Sequence, residues 1–243
     1  MFYYPVHNDN ADTTPFDIFS LRRGTGRVFP GSISLQQPGH RPQYLFPPTA
    51  LFAADPPVLR FINFHDPEQA LIFTSGACLK SRKIYGEAAW GFKYKPSGAA
   101  VADGPVVGRL ECIGPFGDHL KQTTDRAALR AVLAALRFQF WNLEGFSSLV
   151  IATDSPRVAQ GATELLPGWV YNKWLDVDGQ KVKDRDLWEA LLGEFERWDS
   201  LGVRVFIGYY VGPEVDNLQW LIHQAAHTLE DVVQHVDCPY WGS

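Results

Sequence analysis

Leu71-Ile72-Phe73-Thr74-Ser75-Gly76-Ala77-Cys78, Gln122-Thr123-Thr124-Asp125-Arg126-Ala127-Ala128-Leu129 and Leu149-Val150-Ile151-Ala152-Thr153-Asp154-Ser155 decide how this chain is read. The first is a short apolar run closed by Ser75-Gly76, which reads as a strand and its end. The second opens a helix: Leu129, Val132, Leu133, Leu136 and Phe140 recur at helical spacing, with Thr124 or Asp125 placed to cap it. The third is a buried strand running into a new helix start, where Ser155 can cap and Asp154 lies near the positive end of the helix dipole. If the two strands are parallel neighbours, Ser75 and Asp154 meet at their carboxyl ends, the usual place for a site in an open α/β sheet.

Working outward, Ala88 to Tyr94 and Val106 to Cys112 supply two further strands around the turn-prone Pro96-Ser97-Gly98. Leu187, Trp188, Leu191, Leu192 and Phe195 mark a helix with Asp184 as its cap, Val203 to Tyr209 a fifth strand, and Val215, Leu218, Leu221, Ile222, Ala225 and Leu229 a last helix. The order predicts an α/β fold, a five-stranded mixed sheet flanked by helices, over residues 67–230. Residues 1–66 carry repeated prolines and no sustained period, so they read as an extended arm whose apolar residues lie along the domain surface. Residues 231–243 form a tail. The arm and the Cys238-Pro239-Tyr240-Trp241 stretch offer a surface for a protein partner.

Composition narrows the function. The 243 residues carry a net charge of -5 with a pI near 5.8, so binding to a phosphate backbone, which depends on counterion release, gets no help from the whole molecule. Three cysteines, Cys78, Cys112 and Cys238, have neither the number nor the spacing of a disulfide framework or a zinc knuckle. No long apolar run predicts a membrane span. Met1-Phe2-Tyr3-Tyr4-Pro5 lacks the basic-then-apolar layout of a secretion signal, so the expected location is intracellular, nucleus or cytoplasm.

The three opening blocks arrive in the order and spacing of a type 1 ribonuclease H domain. So do Gly161-Ala162-Thr163-Glu164-Leu165-Leu166-Pro167-Gly168-Trp169, Trp174 and Gly179-Gln180-Lys181-Val182-Lys183-Asp184-Arg185-Asp186-Leu187-Trp188. Over about residues 69–228 the chain resembles that family, and more narrowly its versions in filamentous fungi. The resemblance implies cleavage of RNA in an RNA/DNA hybrid by two Mg2+ ions held on four acids, because paired divalent ions need several carboxylates to balance their charge. Carried over residue by residue, the four positions are Ser75, Ala128, Asp154, and Leu221 or, with the register slipped, Gln219. Only Asp154 is an acid. The expectation is therefore a degenerate site with no cofactor, Asp154 being at most a weak metal ligand. Such a domain would serve as a nucleic-acid- or protein-binding module; the alternative is a weak or altered metal-dependent ribonuclease H that recruits Glu214, Asp216 or Glu111. The family's mobile histidine falls near Tyr209 or Tyr210.

For a nucleic-acid ligand, an RNA/DNA hybrid or double-stranded RNA, the resemblance assigns Gln122, Thr123, Thr124, Trp169, Lys173, Trp174, Lys181 and Lys183. Asp125, where the family often has Asn, would repel phosphate, and the tryptophans can equally be core. His223 and His227 have metal-ligand spacing but no third partner. Arg22-Arg23-Gly24-Thr25-Gly26-Arg27 reads as a solvated basic loop or a contact for phosphate or an acidic partner.

Overall fold

A computed structural model describes residues 22–37, 39–51, 58–79, 87–96 and 104–229. The tail expected over 231–243 lies outside them. Along the chain run β1 (Gly31–Ser32), α1 (Pro42–Leu45), β2 (Pro48–Leu51), β3 (Val58–Asn63), β4 (Asp66–Leu79), β5 (Glu87–Lys93) and β6 (Val106–Arg109). They are followed by α2 (Thr124–Arg137), β7 (Ser148–Thr153), α3 (Pro156–Gln160), α4 (Leu166–Tyr171), α5 (Arg185–Ser200), β8 (Arg204–Tyr209) and α6 (Pro213–Thr228).

The long strand β4 is the centre of the sheet. It pairs antiparallel with β5 through Phe73–Leu79 and parallel with β7 through Gln69–Thr74, while β7 pairs parallel with β8. With β6 on β5, these are the five strands read from the sequence. Alternation along β4 and β7 sorts their side chains to two faces. Ala70, Ile72, Leu149 and Ile151 enter the core that holds α2 and α5, and Leu71, Phe73, Val150 and Ala152 enter a second core on the other face. Every residue of β7 is buried, as expected of a strand covered on both faces.

Gly76 does not end the first strand. A Cβ there would come within 2.2 Å of the Ala128 backbone nitrogen, so the glycine lets α2 lie directly on β4. Charged residues complete the α2 packing. Arg126 grips Asp186 with two bonds of 2.8 and 2.6 Å, and Arg130 holds Glu111 at 2.7 Å. Glu111, named above as a possible recruit for the site, is thus a buried half of an ion pair.

The boundary placed after residue 66 runs through a β-hairpin. β3 pairs with β4 and β2 with β3, and β1 lies parallel on the other side of β8 from β7, so that among the described residues the sheet has eight strands. Leu35 and Phe46, each 1% exposed, belong to the second core. The stretch read as a basic loop straps onto α5: Arg23 pairs with Glu189, and Glu196 Oε1 accepts Thr25 N at 2.7 Å, Thr25 Oγ1 at 3.0 Å and Arg27 N at 3.1 Å. Its acidic partner is this same chain. Among the described residues no helix is long and apolar enough to cross a membrane.

Candidate active site

The carboxyl end of β7 lies beside the middle of β4, Thr74 opposite Thr153, which brings Ser75 and Asp154 together. Ser155 caps α3, its Oγ accepting from Val158 N at 3.3 Å. The Asp154 carboxylate is thereby left to the crevice. Its Oδ2 accepts two hydrogen bonds from neutral groups, Ser75 Oγ at 2.6 Å and Gln219 Nε2 at 2.7 Å. The orientation of the Gln219 amide is fixed by chemistry, since its oxygen turned to the carboxylate would face another acceptor.

Gln219, rather than Leu221, is the α6 residue brought to Asp154. α6 packs with Val215, Leu218, Ile222, Ala225 and Ala226 buried, and at 100° per residue a side chain two positions beyond Gln219 points well away from it. Ala128 is in the α2 core, 1% exposed. Burial raises the Asp154 carboxyl above its ordinary pKa; the bonds from Ser75 and Gln219 oppose the rise, and the charge of Asp216 adds to it.

The other expected recruits are placed differently. Glu214 lies 3.3 Å from Tyr210 Oη, and Asp216 is exposed on the first turn of α6. Tyr210 is buried in the second core, and burial together with Glu214 pushes its phenol up to about 12. Tyr209 is 39% exposed. His223 is exposed, and His227 lies 3.5 Å from Glu87. Among the described residues no three His, Cys, Asp or Glu side chains come together.

Of the eight residues assigned to nucleic acid, three are committed to packing. Gln122 is 5% exposed and spends both ends of its amide inside, Oε1 on Ala88 N at 3.0 Å and Nε2 on Leu110 O at 2.8 Å. Trp169 and Trp174 are 8% and 9% exposed in the main core, Trp169 packed edge-on to Trp188, so neither offers a face to a base. Thr123, not Thr124 or Asp125, caps α2, its Oγ1 accepting from Arg126 N at 3.1 Å. Thr124, Lys173, Lys181 and Lys183 are exposed. Asp125 stands beside Arg157 at 3.5 Å.

One feature of the molecule went unread in the sequence. A groove of about 440 Å³ runs between Ser32–Gln36 and the turn after α3, floored by Ile207 and Gly208. Its signal was the alternation Ser32-Ile33-Ser34-Leu35 inside the proline-rich arm.

A mixed sheet built on the five strands β4 to β8, with one acid at the end of β7 beside β4, defines the class, a ribonuclease H-like domain. The RNase H family model matches residues 67–200, and the chain belongs to that family. Ribonuclease H of Treponema pallidum is 32% identical over 121 residues, 49% of this chain and 69% of that protein. Ribonuclease H of Xanthomonas oryzae is 38% identical over 81 residues, 33% of this chain and 51% of that protein. The chain therefore spans between about half and just over two thirds of these relatives. A solved type 1 RNase H with the type 2 active-site motif is 20% identical with a TM-score of 0.43, covering 71% of this chain and 79% of that one.

Proposed function

We propose that this ribonuclease H-like domain has lost two-metal hydrolysis and acts as a binding module. The observation that carries the reading is the pair of neutral donors on Asp154. Two divalent ions need several anionic oxygens around them, and the residues gathered at Asp154 offer a hydroxyl, one carboxylate and an amide whose NH2 points at that carboxylate. A hydroxyl and an amide add no negative charge, and a single carboxylate binds Mg2+ weakly because the ion gives up its waters reluctantly. These residues do not fit the metal pair, so no hydrolytic step is derived through it.

A second reading, a weak nuclease, is favoured by Asp216, whose charge is felt at Asp154, and by the names of the relatives. For a nucleic-acid ligand the remaining contacts are Thr124, Lys173, Lys181 and Lys183. Three lysines give only a modest, salt-sensitive affinity, with a slope in log K against log salt near -3. The test is a labelled RNA/DNA hybrid with Mg2+, scored for binding and cleavage in the wild type and in Asp154→Asn. Salt-sensitive binding with no cleavage supports the module; Mg2+-dependent cleavage lost in the variant makes the protein a nuclease.

A further inference from the structure

Arg22-Arg23-Gly24-Thr25 holds the chain's one pair of adjacent arginines, three and two residues before an exposed threonine. Paired basic residues at that distance from a hydroxyl are the charge pattern by which basophilic serine/threonine kinases select an acceptor. The structure gives the same threonine a second distinction. Glu196 Oε1 accepts three bonds from the strap, Thr25 N at 2.7 Å, Thr25 Oγ1 at 3.0 Å and Arg27 N at 3.1 Å, so one carboxylate oxygen is its latch.

The other contacts of the strap with α5 are close but shallow. Gly24 N donates to Glu189 O at 2.9 Å, and Arg23 pairs with Glu189 while its guanidinium lies 3.9 Å over the Phe116 ring. A Cβ on Gly24 would come within 2.3 Å of Leu192 Cγ, and one on Gly193 within 2.4 Å of Arg22 O. Downstream, Phe29 packs against the main core and Pro30 is buried, which anchors the strap at that end. Residues 22–27 can therefore lift from α5 while Phe29 stays in place, and a segment held mainly by surface polar bonds opens at low cost.

We propose that Thr25 is a phosphorylation site and that its modification unlatches the strap. In the step, the Thr25 hydroxyl attacks the γ-phosphorus of ATP on a basophilic kinase. A bond forms between Oγ1 and that phosphorus, the bond to the bridging oxygen breaks, ADP leaves with the bridging oxygen, and the hydroxyl proton passes to the kinase's base. Arg22 and Arg23 are engaged while the strap is closed, so the kinase takes the lifted strap. Its product cannot close again: the hydroxyl donor has become an ester oxygen, and a phosphate of about -1.5 to -2 charge would sit against the Glu196 carboxylate. The lifted arginines pair with the phosphate instead. Phosphorylation thereby bares Leu192 and Gly193 of α5, both buried beneath the closed strap. The inference stands with either reading of Asp154, because it uses none of the residues gathered there.

The full chain is incubated with ATP, Mg2+ and the catalytic subunit of cyclic-AMP-dependent protein kinase, which selects arginine three and two residues before its acceptor. Peptide mass mapping locates the phosphate, and hydrogen exchange compares the amides of Gly24, Thr25 and Arg27 before and after. The expected result is phosphate at Thr25, absent in Thr25→Ala, with exchange of these amides at least about tenfold faster while those of β7 stay protected. Glu196→Ala, shown by its melting curve to fold, removes the latch and should be phosphorylated at least about threefold faster than the wild type. No phosphate on Thr25 of the wild type overturns the proposal. So do equal rates in the two proteins, a modified strap whose amides exchange as before, or faster exchange that extends into β7, which would be unfolding rather than unlatching.

Discussion

Asp186 and Asp154 are two carboxylates that the fold withdraws from water, and it treats them oppositely. Asp186 is 4% exposed and gripped by both terminal nitrogens of Arg126. Asp154 receives two bonds of similar length, but from a hydroxyl and an amide, and its pKa is raised. An acid matched by a buried guanidinium belongs to the packing of α2 on α5. An acid held only by neutral donors contributes little to the fold for its desolvation, and the lesson is that Asp154 is a candidate for a functional role rather than a structural element.

The comparison breaks first at its structural half. Asp186→Ala leaves Arg126 buried with only Asp184, at 3.3 Å, and should cost about 3–5 kcal/mol, read as a fall in Tm of roughly ten degrees or more. Leu35→Ala empties a buried place in the second core and should cost about 2–5 kcal/mol. An unchanged Tm for Leu35→Ala would return residues 22–51 to the status of a loose arm.

Asp154→Asn should act the other way. Because the folded carboxyl has the higher pKa, its stabilising contribution is fully present below the ordinary carboxyl pKa and is lost as pH rises through the folded value. At pH 7 the tendency of this carboxyl to ionise therefore opposes folding, and the asparagine, whose oxygen can accept from both Ser75 and Gln219, should raise Tm. The gain should vanish near pH 3, where the wild-type acid is protonated in both states. Paired melting curves at the two pH values check this, and a lower Tm at pH 7 would place Asp154 with Asp186. The smallest effect concerns the lysines: Lys183→Ala should weaken hybrid binding slightly and reduce the salt slope by about 1, measured by anisotropy at several salt concentrations.

Much of the fold was legible because periodicity survives in long elements. The stripe of Leu129, Val132, Leu133 and Leu136 announces α2, and Leu149–Ala152 announces β7. What failed were places where one residue type serves two physical ends. Gly76 resembles a strand terminator but permits close approach of a helix. Trp169 and Trp174, flanked by lysines, look like a stacking surface, yet tertiary packing took their rings into the core. In the site, Ser75 and Asp154 followed from strand order, whereas the α6 residue depended on helix phase. Leu221 already belonged to the apolar stripe assigned to that helix, which was a reason within the sequence to prefer Gln219. The strand β1 escaped because an alternation of four residues is too short to stand out among prolines.

The central claim is that the Asp154 crevice holds no pair of divalent ions, and a calorimetric titration with Mn2+ tests it most directly. The wild type should give no saturable heat up to millimolar concentrations, while a Ser75→Asp, Gln219→Asp double variant, which returns two carboxylates to Asp154, should gain saturable binding. Saturable Mn2+ binding by the wild type that disappears in Asp154→Asn would contradict the account.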